Sequence, residues 1–346
     1  MAGGGGTRMW PASRKQRPKQ FLPILPGGAC LLGATVERLG RVVSADHLMV
    51  VTAADQVVEV ARTAPSVLAH NVVIEPQARN TAACIGLGAV EALRRDPEAI
   101  LAVVPSDQYV SDGAAYAVAL REAIALAARG LVVTIGIRPT TPETGFGYVE
   151  LGAPVVGSAV ARLAARFVEK PDLATAEGYL ASGRHLWNSG MFFFSARRVL
   201  DAIALHLPAL GKILDGILAD PGAAATLYPT APSVSFDYAV MERLGAGEVA
   251  VVPGDFGWND VGSWSALPAL APADTAGNVV IGDALVLDAQ RNAVFAGPGR
   301  LVAALGVHEL VIVATDDTVL VMPRERAQDV REVVRALSDA GRTSCL

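Results

Sequence analysis

The residues able to do chemistry fall in a few short stretches. Residues 2–8 read Ala-Gly-Gly-Gly-Gly-Thr-Arg, so Gly3, Gly4, Gly5 and Gly6 precede Thr7 and Arg8, with Arg14 and Lys19 close behind. A run without side chains lets backbone N–H groups approach a polyanion, and cations just after it neutralise the charge. A flexible terminal tail would use the same glycines, but it would not need Trp10-Pro11, Ser13-Arg14 and Pro18-Lys19-Gln20 at fixed places. No Gly-Lys-Ser/Thr follows, which excludes a P-loop. A dinucleotide fingerprint would need a strand before the glycines and an acid about 20 residues on, where only Glu37 is weakly placed. Asp107 and Asp260 are acids in otherwise uncharged, turn-like settings. Singly each suits a helix cap or a turn; together they could hold one Mg²⁺, which takes one or two carboxylates beside substrate phosphates and water. Lysines are scarce, with Lys15, Lys19, Lys170 and Lys212 among 29 basic residues. Glu169-Lys170-Pro171 is therefore either a surface ion pair before a turn or a carboxylate and an ammonium for a sugar phosphate. Asn188, inside an apolar run, brings a donor and an acceptor.

These residues must be held by something, and the surrounding pattern says what. Over residues 47–140 short apolar runs alternate with helical stretches: β-like at 47–53, 71–76, 99–107 and 131–137, helical at 54–64, 80–95 and 114–129. Continuous rather than alternating apolar strands, each followed by a helix, predict a buried, mostly parallel sheet, whose ligands gather at the carboxyl ends of its strands. Asp107 sits at such an end. Short strand-and-loop segments follow 140, then helices at 172–182, 196–207, 209–219 and 236–244. Beyond about 275 close-set strands dominate, closed by an amphipathic helix. Pro, Ala and Gly cluster over 267–278, which predicts a catalytic domain over 1–270 and a β-rich domain over 275–340. The tail's short strand spacing suits a small β-solenoid, of the left-handed β-helix kind, or a sandwich.

The glycine stretch with Trp10-Pro11, Ser13-Arg14 and Pro18-Lys19-Gln20-Phe21 resembles the signature of sugar-nucleotide pyrophosphorylases, and within them the mannose-1-phosphate guanylyltransferases. Further motifs match in order: Glu75-Pro76 with Arg79-Asn80-Thr81, Pro105-Ser106-Asp107, Pro142 to Tyr148, Phe167 to Pro171, Trp187 to Phe192, Phe236 to Glu242, and Gly257 to Trp264. The resemblance implies a Rossmann-like α/β nucleotidyltransferase fold of GT-A type and the reaction of GTP with α-D-mannose 1-phosphate to GDP-mannose and diphosphate. It implies Mg²⁺ on Asp107 and Asp260, with Arg8 and Lys19 as catalytic cations and Gly3, Gly4, Gly5, Gly6, Thr7, Arg8 and Lys19 lining the nucleotide. Arg14 assists the triphosphate, and Asn80 lies beside the purine. Gly147, Glu169, Lys170 and Asn188 surround the hexose, with Glu169 accepting a hydroxyl and Lys170 meeting the phosphate. The chain departs from the family pattern at Gly5, where Ser is common, at Ala83, where Pro often stands, and at Gln108, where His often follows the metal-binding Asp. A short apolar strand precedes Ala2 in the family, and only Met1 stands there, so the expectation is a sequence that begins late. Three readings stay open: the enzyme, a catalytically inactive regulatory paralogue that binds GDP-mannose, and a pyrophosphorylase for another hexose 1-phosphate.

The bulk properties set the outer limits. Of 346 residues 52% are hydrophobic and 18% charged, ample for a large core and wrong for a disordered chain. A net charge of −5 disfavours nucleic acid and anionic membrane as partners, so any phosphate chemistry needs a local basic cluster. Cys30, Cys84 and Cys345 follow no metal or redox spacing, and an odd count suits a reducing compartment. The start has no apolar h-region and no run reaches the roughly 20 residues of a membrane span, so the expectation is a cytoplasmic protein, and the resemblance implies a role in polysaccharide biosynthesis. His47, His70, His185, His206 and His308 lack ligand spacing, which argues against zinc. The length leaves no room for the isomerase domain that follows in some relatives, so a monofunctional enzyme is expected, with a homodimer as the assembly to test.

Overall fold

The computed structural model describes residues 1–3 and 7–346, so Gly4, Gly5 and Gly6 lie outside the described residues. The main sheet takes β3 (Ile100–Val103), β5 (Val132–Ile137), β6 (Gly147–Pro154), β7 (Arg162–Glu169), β8 (His185–Ser195) and β9 (Val249–Gly254) in the order β3-β8-β5-β9-β7-β6. Alternate side chains along its strands enter two cores. Val132, Phe192, Phe194, Val249 and Val251 face α3 (Asn80–Arg95), α6 (Ala196–His206) and α7 (Pro208–Ala219). Val133, Ile135, Phe193, Ala250 and Val252 face α4 (Gly113–Ala127). This period of two on a sheet buried on both faces is why the strands read as continuous apolar runs. The small residues of α3 have a packing reason too. A Cβ on Gly86 would come within 2.4 Å of Leu214, so α7 can lie this close only against a glycine.

The expectation of a mostly parallel sheet needs correction at two strands, β8 and β7. β5 and β9 pair in parallel, but β8 lies between β3 and β5 and pairs antiparallel with both. The β7 pairings with β6 and β9 are antiparallel as well. Double burial makes the Met191–Phe194 stretch of β8 apolar, and apolarity carries no information about direction. The sheet is mixed, flanked by helices as predicted.

β1 (Val50–Ala53) and β2 (Val72–Glu75) form a separate parallel pair. Met1 and Ala2 stand between this pair and the end of β3. The Met1 ammonium donates to Val104 O at 2.9 Å, Ser106 N donates to Met1 O at 3.0 Å, and Ala2 N donates to Val51 O at 2.9 Å. These two residues lie where the resemblance puts a strand. β4 (Tyr109–Val110) pairs antiparallel with β10 (Trp258–Asn259).

The tail winds between two small sheets. β11 (Val279–Ile281), β13 (Ala293–Ala296) and β15 (Leu310–Ala314) stack in parallel, with β16 (Val319–Pro323) antiparallel at the edge. β12 (Asp283–Leu287) and β14 (Leu301–Leu305) form the second parallel pair. Successive turns are tied by buried asparagines: Asn292 Nδ2 donates to Asn278 Oδ1 at 2.9 Å, and Leu310 N donates to Asn292 Oδ1 at 3.0 Å. The outer face of β11, β13 and β15 packs with Met9, Trp10, Leu22 and Trp264, just behind the residues that follow the glycine run. The helix expected over 236–244 is shorter, a four-residue helix Phe236–Ala239 followed by a 3-10 turn Met241–Arg243.

Candidate active site

Lys19 is the centre of the first cluster. It opens a 3-10 turn, Lys19–Phe21, and its side chain is buried. Its ammonium donates to Asp260 O at 2.8 Å and Val261 O at 3.1 Å, and lies 2.9 Å from Asp107 Oδ2. Those partners satisfy all three of its donors. Two features of the chain make this possible. The β4–β10 pairing, Tyr109 opposite Asn259, brings the loop after β3 to the loop holding Asp260. Val261 then takes a left-handed φ of 49°, stabilised where Val261 N donates to Asn259 Oδ1 at 2.7 Å, and consecutive carbonyls turn towards Lys19. Gly262 completes the turn: a Cβ there would stand 2.5 Å from Asp260 Oδ2.

Burial pushes the Asp260 carboxyl above its ordinary range, and the Lys19 and Arg8 cations pull it back. Asp107, 38% exposed at the side chain, is the open member of the pair. The two carboxyls are near enough to interact electrostatically around Lys19, and such a pair of oxygen acids suits a divalent cation. Among the described residues no third acidic, His or Cys side chain joins them, so phosphate and water would complete the shell.

Around this centre the other expected nucleotide residues take varied positions. Arg8 donates to Gln328 Oε1 over a long 3.4 Å, and Thr7 is exposed. Arg14 is held away by Asp317 Oδ1 at 2.7 Å and lies over the Trp10 ring. Gly3 faces the carboxylate of Glu75, which accepts from Tyr228 OH at 2.7 Å. The carbonyl of Ala2 accepts from Gln20 Nε2 at 3.1 Å, which anchors the start of the glycine run beside Lys19. Asn80 opens α3 with a left-handed φ of 64°, and its Oδ1 accepts from Thr81 N at 2.8 Å, so it acts at the helix start and is exposed.

The second cluster gathers Gly147, Glu169, Lys170 and Asn188. Gly147 opposes Glu169 across β6 and β7, and a Cβ on it would lie 2.5 Å from Glu169 Oε2. The glycine therefore makes room for a carboxylate of this chain. Lys170 Nζ donates to Glu169 Oε1 at 2.7 Å and lies over the Tyr238 ring. Burial works against its charge, but the Glu169 bond and the nearby carboxylates hold the ammonium above its ordinary pKa. Asn188 is engaged on both amide atoms: Oδ1 accepts from Thr134 Oγ1 at 2.8 Å and Nδ2 donates to Asp237 Oδ1 at 2.9 Å. A hydroxyl meeting this amide would take the second N–H of Nδ2 or share these bonds.

Sequence reasoning gave no role to Asp237 or Glu242, which complete this cluster. Burial, then the charge of Glu169, pushes the Asp237 carboxyl up to about 6. Glu242 Oε1 accepts from Glu169 N at 2.7 Å. The available signal was two acids inside the motif Phe236 to Glu242, whose apolar and aromatic residues surround them.

Comparison with known proteins gives two family matches. The Nucleotidyl transferase profile matches residues 1–277, and a MannoseP isomerase/GMP-like beta-helix domain profile matches residues 274–337. The xanthan biosynthesis protein XanB of Xanthomonas campestris pv. campestris (strain B100) is 43% identical over 99% of this chain and 73% of its own. A mannose-1-phosphate guanylyltransferase of Klebsiella pneumoniae is 40% identical over 99% of this chain and 74% of its own. The crystal structure of a mannose-1-phosphate geranyltransferase from Thermus thermophilus superposes with a TM-score of 0.90 at 40% identity, over 98% of both chains. No helix among the described residues is long and apolar enough to cross a membrane. With the Nucleotidyl transferase profile covering residues 1–277 and relatives of about 40% identity spanning 99% of its length, the chain belongs to the nucleotidyl transferase family.

Proposed function

We propose that this protein is a mannose-1-phosphate guanylyltransferase, converting GTP and α-D-mannose 1-phosphate to GDP-mannose and diphosphate. The observation that carries the reading is Lys19, buried against Asp107 and the Asp260 turn at the start of the glycine stretch. Relatives at about 40% identity over 99% of the chain, named for that activity, support the choice of substrates. The working unit would be the domain over 1–270, with the β-rich domain over 275–340 bracing it.

The hexose phosphate oxygen attacks the α-phosphorus of GTP in line, and diphosphate leaves. That oxygen is already an anion at neutral pH, so no general base is required. The work is positioning and relief of repulsion between two polyanions. Asp107 and Asp260 would hold Mg²⁺, which supplies positive charge against the phosphate oxygens. Lys19 fixes the two acids relative to each other and keeps a positive charge next to the reacting phosphates. Arg8, on its long bond to Gln328, is placed to turn to the triphosphate. Lys170 meets the hexose phosphate, while Glu169 and Asn188 receive hydroxyls and Gly147 leaves space beside them. Gly3 to Gly6 line the triphosphate, and Asn80 remains the base-side residue of this reading.

Diphosphate release from a panel of nucleoside triphosphates against hexose 1-phosphates tests it. GTP with mannose 1-phosphate should give the highest kcat/KM, and Asp107→Asn should lower it at least about a hundredfold. Near-normal turnover by Asp107→Asn overturns the assignment of the acid pair.

A further inference from the structure

One side chain ties the two clusters together, and it belongs to neither. Gln108 follows Asp107 and is buried. Its Nε2 donates to Ser189 O at 2.6 Å, on β8 immediately after Asn188. Its Oε1 accepts from Trp258 Nε1 at 2.9 Å, two residues before Asp260. Its own backbone oxygen accepts from Arg38 Nη2 at 3.3 Å. The β8 end is fixed in turn, because Ser189 Oγ donates to Ile135 O at 2.7 Å and Asn188 is bonded to Thr134 and Asp237. We propose that Gln108 is a positioning residue for the transfer reaction, setting the distance between the Asp107–Asp260 pair and the hexose pocket. The inference rests on the transferase reading above.

The chemistry of the amide explains why the position takes Gln. The carbonyl of Ser189 needs a donor and the indole N–H of Trp258 needs an acceptor, and a primary amide offers both from one planar group. A carboxylate could accept from Trp258 but would repel the Ser189 carbonyl. An aliphatic side chain would leave a buried donor and a buried acceptor unsatisfied. The β4–β10 pairing already joins Asp107 to Asp260. Among the described residues no backbone pairing joins β4 or β10 to β8, so side chains carry that third link. In-line attack requires the reacting atoms about 3–3.5 Å apart, and a displacement of about 1 Å can cost two orders of magnitude. A slack link would therefore be read in the hexose partner and in kcat, with binding of the nucleotide spared.

The test compares Gln108→Met, close in volume but without donor or acceptor, with Gln108→His at pH 8, where a neutral imidazole provides one of each. Gln108→Met should lower kcat about 10- to 100-fold and raise KM for the hexose phosphate several-fold, with KM for GTP within about twofold of the parent. Gln108→His should recover most of that loss. Hydrogen exchange, which needs no turnover, should quicken in Gln108→Met at residues 186–192 and stay unchanged in β1. Parent-like kinetics in Gln108→Met overturns the proposal. So does an equal loss towards both substrates that follows the fall in Tm, or a Gln108→His variant no better than Gln108→Met. Should the parent protein prefer another nucleotide or hexose phosphate, the transferase reading fails in its substrates alone. The Gln108 comparison is then made with the preferred pair.

Discussion

The two ends of the site handle buried charge in opposite ways. At the nucleotide end Asp107 and Asp260 face Lys19, with Arg8 near enough to act on Asp260. At the hexose end of the proposed site Glu169 and Asp237 share Lys170, and Glu242 accepts from the Glu169 backbone. Burial raises the carboxyl pKa of both Asp260 and Asp237, but at Asp260 the leading neighbours are cations that oppose it, and at Asp237 the leading neighbour is another carboxylate that adds to it. On the proposed function, the difference matches what each end would receive. A triphosphate arrives with many charges and needs acids already locked at a fixed spacing. A hexose arrives with hydroxyls, and a surplus of acceptors reads those well. On that reading, charge balance would fix the nucleotide end and charge excess would serve the hexose hydroxyls.

The contrast breaks most visibly at Lys19. Lys19→Ala would leave Asp107 and Asp260 without their shared cation and strip the donor from two carbonyls. A loss of about three orders of magnitude in kcat/KM is expected, together with a lower Tm. Steady-state kinetics with melting curves checks both. A variant that keeps its turnover would show that the acids need no internal clamp. At the hexose end the corresponding probe is Gly147→Ala, whose Cβ would press on Glu169 Oε2. That should raise KM for the hexose phosphate about tenfold and leave KM for GTP alone, a split that initial-rate measurements resolve. If both constants rise together, the ends are not separable.

How far the sequence alone reaches follows the same line between local and distant partners. The α3 helix was legible to its end residues, since small apolar spacing and its basic last turn are local. Asp107 at the end of a strand run was legible for the same reason. The direction of β8 was not, because burial on both faces erases the alternation that would reveal it. β13 escaped notice, four buried residues between turns, stabilised by neighbours in adjacent coils. The partners of Lys19 lie 241 and 242 residues away. Spacing could nominate that lysine but could not show that its donors are all used. Asp237 stood inside a quoted motif, yet its environment depends on Asn188 and Glu169, which only the folded sheet brings beside it.

The smallest effect sharpens the comparison most cleanly, because it needs no substrate. The Asp237 carboxyl titrates near 6 in the folded protein against an ordinary 3.8. A raised acid means that the folded state holds the proton more tightly than the unfolded chain does. Above about pH 6 the folded protein therefore carries a buried anion that unfolding would release to water, and stability is reduced by that cost. As pH falls from 6 towards 3.8 the folded carboxyl takes up its proton first and the cost fades. Asp237→Asn carries no charge at any pH, and its Oδ1 can still accept from Asn188 Nδ2. The variant should melt higher than the parent at pH 8 by about 1–2 °C, a gain on the order of 1 kcal/mol, with the difference shrinking below pH 6 and gone near pH 4. Thermal melts of the two proteins across that range measure it. A gain that is the same at pH 8 and pH 4 would place its origin in packing. An absent gain would mean that Lys170 already offsets the surplus, making the hexose end as balanced as its counterpart.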